Sequence, residues 1–141
     1  MPLLLAHVVA GGLGLLLGPV AALAAARRPA YATRLITAYQ GAVTVVCVTA
    51  LGLVALAPAT FWWLIPIAVG TQAAIIVARR SGTDPARRTR LLGGSYVSLV
   101  TALLVVSWGN PLAWIVPTVL GIGLVESAAA RVQRRRYTDA R

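Results

Sequence analysis

The chain has 141 residues, 59% of them hydrophobic and only 11% charged, with a formal net charge of +10. That charged share is about half the usual one, so there is too little polar material to cover a water-facing surface, and the length suits one domain. All 13 basic residues are arginine, and no groove-reading motif or aromatic platform accompanies them, which sets nucleic acid aside as a partner.

Uncharged stretches recur at residues 3–26, 35–57, 61–78, 91–108 and 112–130, the last carrying one acid, Glu126. Each runs roughly 18 to 24 residues, enough at about 1.5 Å per residue to cross a hydrocarbon core of about 30 Å. The sequence therefore predicts an all-α, polytopic transmembrane bundle of five spans in a single domain, with residues 131–141 as a basic tail.

Span one carries His7 and a glycine series. Gly11, Gly14 and Gly18 follow His7 at helical spacing, so the four share a face. Gly14 and Gly18 form a G-x-x-x-G pair that lets another helix approach closely. His7 is thereby aimed into the bundle, either hydrogen-bonded to a neighbouring helix or available to a ligand or proton. "AALAAA" resembles a signal-peptide cleavage region, but no basic segment precedes the span and Arg27 and Arg28 follow it, so it reads as a retained span.

Span two holds Tyr39, Gln40, Thr44 and the single cysteine, Cys47, which allows neither an intrachain disulfide nor a C-x-x-C pattern. Span three contains "WLIPIAVGTQ" from Trp63 to Gln72, and its deepest strong polar group is Gln72, either a helix-linking amide or a substrate contact. The loop "RRSGTDPARRTR" leads into span four, where Ser95, Tyr96 and Ser98 either join Tyr39 and Gln40 in an inward-opening polar patch or make ordinary helix–helix hydrogen bonds. A Gly109-Asn110-Pro111 break precedes span five. Asn110, and Thr60 before Phe61, read as helix caps.

Span five echoes span three. "WIVPTVLG" repeats the Trp, Pro and Gly of "WLIPIAVG" at identical spacing, so Pro66, Gly70, Pro117 and Gly121 read as kinked, closely packed architecture. The carbonyls freed by the prolines, on Trp62 and Ala113, would lie near water at the outer interface. Spans two and three would then recur as spans four and five, a parallel repeat related by an axis along the membrane normal. Gln72 is not repeated; Gly123 stands in its place. Glu126 is an intramembrane acid roughly 7 Å along the axis from Arg131, open to pairing with Arg131, Arg79 or Arg80, or to a coupling role.

The arginines fall in three segments, three in 27–34, five in 79–90 and five in 131–141, and none falls at 58–60 or 109–111. With five spans the positive-inside rule puts the N-terminus out and the C-terminus in. Trp62, Trp63, Trp108 and Trp114 then cluster at the outer face and Tyr31, Tyr39, Tyr96 and Tyr137 at the inner one, both at headgroup level. Arg27, Arg28, Arg79, Arg80, Arg131, Arg134, Arg135 and Arg136 serve as topology signals and as contacts for anionic lipid headgroups.

For catalysis the inventory is one His, one Cys, two Asp and one Glu, with no G-x-S-x-G, no H-E-x-x-H and no phosphate loop. No catalytic residue, metal site or cofactor is predicted. The first functional expectation is a non-enzymatic subunit or assembly partner of a membrane complex, or a homo-oligomer. The alternatives are a small oligomeric transporter or channel with a polar site between the hairpins, formed by Gln72, Glu126 and His7, and a quinone- or haem-associated redox subunit.

"AHVVAGGLGLLLGPVA" followed by "RRPAYATRLITAY" resembles the domain-of-unknown-function 2306 family of small bacterial membrane proteins, and "GTDPARRTRLLGGSYVSLVTA" is similar to that family's second segment. Of the family's histidine positions only His7 matches; Ala32 and Arg88 stand at the others. The resemblance implies a polytopic protein of the bacterial inner membrane and supplies no activity.

Overall fold

The computed structural model describes the backbone of residues 2–27, 29–80, 84–108 and 110–139, and the side chains of these except 23–32, 135–137 and 139. Among the described residues every regular element is helical: α1 (Pro2–Arg27), α2 (Pro29–Leu56), α3 (Pro58–Phe61), α4 (Leu64–Arg80), α5 (Pro85–Trp108) and α6 (Leu112–Asp139). Four of these, α1, α2, α5 and α6, contain stretches long and apolar enough to cross a membrane. The fourth helix, with 17 residues, extends roughly 25 Å and is shorter than a typical hydrocarbon core.

Proline starts the helices. Pro2, Pro29, Pro58 and Pro85 each occupy a first helical position, where the missing N–H has no intrahelical partner in any case and φ is already set. Helices α2 and α5 therefore begin six residues before the uncharged stretches at 35 and 91, and α6 runs past residue 130 to Asp139, so that most of the basic tail is helical. Charge marks where the apolar stretch stops; the backbone keeps its ladder of hydrogen bonds into the polar zone. Asp84 caps α5, its Oδ1 accepting the Arg87 N–H at 3.0 Å, and Asn110 caps α6, its Oδ1 accepting the Leu112 N–H at 2.9 Å.

Two expectations about the proline motifs are corrected. Thr60 is not a cap: it lies inside α3, whose N-cap is Ala57 without a side-chain bond, and its carbonyl accepts Trp63 Nε1–H at 3.1 Å. Pro66 is the third residue of α4, in the turn whose N–H groups lack helical partners anyway, and the Trp62 carbonyl is occupied by the Ile65 N–H at 3.1 Å. Pro117 instead lies inside α6, and Ala113, whose carbonyl it leaves, is buried at 1% exposure rather than near water. The two copies of the echo thus sit in different helical settings.

The chain forms two compact units, residues 1–72 and 73–141. In the first, α1 and α2 run antiparallel: as α1 advances through Leu3, His7 and Gly11, its contacts on α2 retreat through Gly52, Thr49 and Val46. A Cβ on Gly52 would lie 3.1 Å from Leu3 Cδ2, so glycine sets this approach. Beside it Ala50, Val54 and Leu64 form a small cluster flanked by Phe61 and Trp63. In the second unit, α5 and α6 run antiparallel through Arg90–Glu126, Gly93–Val125, Val97–Gly121 and Thr101–Thr118. A Cβ on Gly93 would lie 2.5 Å from Val125 Cγ2, and one on Gly121 2.5 Å from Val97 Cγ2. Each helix seats a valine in the other's glycine, with glycine and valine four residues apart on both.

The packing is small inside and large outside. The buried set is rich in alanine, including Ala10, Ala50, Ala78, Ala113 and Ala129, while Leu16, Leu56 and Leu124 are 71%, 76% and 72% exposed. Water would oppose that distribution; lipid does not, because helices in a bilayer associate through close backbone approach rather than by hiding leucine. Gly14 is buried, on the His7 face of α1, and Gly18 is half-buried. Gly70 is exposed, and a Cβ there meets nothing within 4 Å, so it is not the packing position its spacing implied.

Candidate functional site

Three cross-helix hydrogen bonds follow one pattern. A threonine mid-helix donates its hydroxyl hydrogen to a carbonyl one turn back on its own helix, and its oxygen is then left as an acceptor for the neighbouring helix. Thr44 Oγ1 lies 2.9 Å from the Gln40 carbonyl and accepts Gln72 Nε2–H at 3.1 Å. Thr49 Oγ1 lies 2.7 Å from the Val45 carbonyl and 2.9 Å from His7 Nδ1. Thr118 Oγ1 lies 2.6 Å from the Trp114 carbonyl and 3.3 Å from Thr101 Oγ1. Each pair satisfies polar groups that lipid would leave unsatisfied, at around 1 kcal/mol or less apiece.

His7 and Gln72 are both held on α2, but through Thr49 and Thr44, five residues apart and so roughly 7 Å along the axis. They belong to separate positions and do not form one site. Glu126 accepts Arg90 Nε–H through both carboxylate oxygens, each at 3.0 Å. Its partner is therefore Arg90 on α5, which the expected pairing with Arg131, Arg79 or Arg80 did not include, because antiparallel pairing brings the first turns of α5 beside the middle of α6. The two side chains are 45% and 54% exposed, so the pair lies at the surface of its unit.

Tyr39 is 3% exposed and Ser95 1% exposed, while Gln40 and Tyr96 are half-buried. Tyr39 and Gln40 belong to the first unit and Tyr96 to the second. Ser95 and Ser98 donate to carbonyls of their own helix, Leu92 at 2.7 Å and Gly94 at 3.1 Å. Arg79 and Arg80 sit exposed in the last turn of α4, where a cation suits the helix dipole; Arg131 and Arg134 are exposed on α6. The side chains of Arg27, Arg28, Tyr31, Ala32, Arg135, Arg136 and Tyr137 lie outside the described residues. Trp62, Trp108 and Trp114 are 64%, 70% and 40% exposed, beside the α3–α4 turn and at both ends of the α5–α6 turn.

Sequence reasoning missed Thr49, Thr101, Thr118 and Arg90 as interaction sites. Threonine in the middle of an apolar helical run was the available signal, since its hydroxyl must find a partner there. Among the described residues no group of three or more His, Cys, Asp and Glu is placed to hold a metal ion. No family model, curated protein or solved structure matches the chain.

Proposed function

We propose that the chain is an integral protein of the bacterial cytoplasmic membrane, threaded five times with the N-terminus out and the C-terminus in, and that it works as a non-enzymatic subunit or assembly partner of a membrane complex or as a homo-oligomer. The fifth crossing is the segment from α3 to α4: the Trp62–Trp63 turn and α3 add the length that α4 lacks, and Arg79 and Arg80 end it on the arginine-rich side. The arginine ends of the helices face anionic headgroups. The Trp-Pro-Gly echo is kept as the trace of a parallel repeat of hairpins, and the resemblance to the 2306 family belongs to the same reading.

One observation carries the interaction role. The membrane-length windows of α1 and α6 are each only 11% buried, while the strong polar groups His7, Gln72, Arg90 and Glu126 all have partners within the chain. What remains uncommitted is apolar flank, and on α6 it includes an exposed Gly123 with nothing within 4 Å of a Cβ, where a second helix can approach closely. Native mass spectrometry from lipid nanodiscs tests this. The expected result is a stoichiometric second protein or a second copy, lost in Gly123→Leu. A lone chain under gentle release sinks the reading.

A further inference from the structure

The Arg90–Glu126 pair engages only part of the arginine. Nε donates to both carboxylate oxygens, each at 3.0 Å. A guanidinium also carries two terminal nitrogens, whose N–H bonds form a planar fork that fits two oxygens of a carboxylate or phosphate. Among the described residues that fork bonds nothing, and the Arg90 side chain is 45% exposed. Glu126 therefore anchors Arg90 through Nε and leaves its terminal donors for a ligand.

The same flank of the α5–α6 pair gathers two more donors. Arg87 stands three residues before Arg90, about one turn away on the same face, and is exposed. Gln133 stands seven residues after Glu126, about two turns along the same face of α6, and is exposed too. Neither side chain bonds a described residue. Helical side chains lean toward their own N-terminus. On antiparallel helices that sends Arg87 outward and Gln133 back toward Glu126, over the small, exposed Ala130. The level along the helices agrees. Arg87 lies roughly 31 Å along α5 from Trp108, and Gln133 roughly 31 Å along α6 from Leu112. A hydrocarbon core is about 30 Å thick, so both side chains fall where lipid phosphates lie. Deeper on this flank, Ile115, Val119 and Ile122 follow helical spacing from Glu126 and are 58%, 63% and 53% exposed, an apolar track for an acyl chain.

We propose that Arg90, Arg87 and Gln133 form a binding site for the phosphodiester of one anionic phospholipid, with Glu126 as the positioning residue that holds Arg90 by Nε. The two arginines and the carboxylate leave a single net positive charge, which a phosphodiester monoanion matches. The Arg90 fork takes two phosphate oxygens, Arg87 adds a second cation, and the Gln133 amide adds a neutral donor. The apolar track along α6 makes the ligand a lipid rather than a free phosphate. Arg131, about 140° round the helix from Glu126, takes no part. This inference rests on the reading that α5 and α6 cross the bilayer with their arginine ends among headgroups, and narrows that reading to one lipid per chain at a defined place.

The test is native mass spectrometry of the full chain in mild detergent, titrated with dioleoylphosphatidylglycerol and dioleoylphosphatidylcholine. The wild type should retain one phosphatidylglycerol about tenfold more tightly than phosphatidylcholine. Arg90→Lys keeps the charge and removes the fork, and should weaken that lipid about tenfold, the weight of a charged hydrogen bond. Arg131→Lys should change nothing. Glu126→Leu removes a negative charge, yet should loosen the lipid about three- to ten-fold, because Arg90 is no longer held; a tightening would mean that charge alone decides. Gln133→Leu, at an exposed position that bonds nothing, should weaken binding about threefold and decides the matter if Arg90→Lys does not fold. Glycerophosphoglycerol, the same headgroup without acyl chains, should fail to compete at a hundredfold excess; full competition would make the ligand a soluble phosphodiester and overturn the lipid assignment. Equal losses in Arg90→Lys and Arg131→Lys would overturn this site and leave a diffuse basic surface. No preference for phosphatidylglycerol in the wild type would overturn the headgroup reading as well.

Discussion

Gly93 and Gly94 are adjacent in sequence and chemically identical, and the structure assigns them opposite consequences. A Cβ at Gly93 would stand 2.5 Å from Val125 Cγ2 and 2.9 Å from Val125 Cγ1, where ordinary contact begins at 3.4 Å. The methyl group is attached to backbone and cannot rotate away, so α5 and α6 must separate by roughly 1 Å. Overpacking of this kind costs about 1–3 kcal/mol, set against the 0.5–1 kcal/mol or so that alanine gains over glycine inside a helix. Gly93→Ala should therefore destabilise the α5–α6 pair by about 1–2 kcal/mol. A Cβ at Gly94 meets nothing within 4 Å, so Gly94→Ala should be neutral or stabilising by up to about 1 kcal/mol. Reversible unfolding of the full chain in mixed detergent and SDS micelles, followed by tryptophan fluorescence, measures both. The double variant Gly93→Ala with Val125→Ala adds a stricter requirement. Removing the valine methyls makes room for the new one, so the two costs should fail to add by at least about 0.5 kcal/mol. Equal effects at positions 93 and 94, or additive costs in the double variant, would show that the reciprocal glycine–valine seating does not hold these helices.

The same reasoning separates the two copies of the proline motif: Gly121→Ala should cost about 1–2 kcal/mol while Gly70→Ala costs nothing measurable in the same titration, since only Gly121 has a valine 2.5 Å from its Cβ position. Thr44→Val should leave the Gln72 amide without its acceptor and destabilise the first unit by about 0.6–1.7 kcal/mol, whereas Thr44→Ser should stay within a few tenths; an indifferent Thr44→Val would remove the relay. Asn110→Ala and Asp84→Ala should each cost about 1 kcal/mol through a lost cap, and Thr60→Ala, which touches no cap, should cost almost none. For the threading, a Cys47→Ser background carrying Asn110→Cys should react with an impermeant maleimide in intact cells, and one carrying Thr138→Cys only after lysis; the reverse pattern would invert the proposed orientation.

How much the sequence reveals differs from residue to residue. The apolar stretches are visible because crossing lipid requires a long run with no charge, and that requirement is local in the chain. Caps such as Asn110 are equally local, since the side chain bonds a backbone group two residues away. Helix ends beyond the lipid are less legible: Pro29 and Pro85 open their helices among arginines, because backbone hydrogen bonding continues where hydropathy stops. The motif that spacing singled out most strongly, Trp-Pro-Gly, gives Gly121 a tight neighbour and Gly70 none, since a glycine becomes a contact only if another helix comes to it.

The sequence by itself determined an all-helical chain whose polar material is too scarce and too clustered for a soluble surface, and which residues had to find partners inside apolar helices. It could not choose those partners. That Glu126 meets Arg90, that His7 meets Thr49 and that Gly93 receives Val125 all follow from the antiparallel register of neighbouring helices. Register is set by close approach over many residues at once, and only the assembled helices fix it.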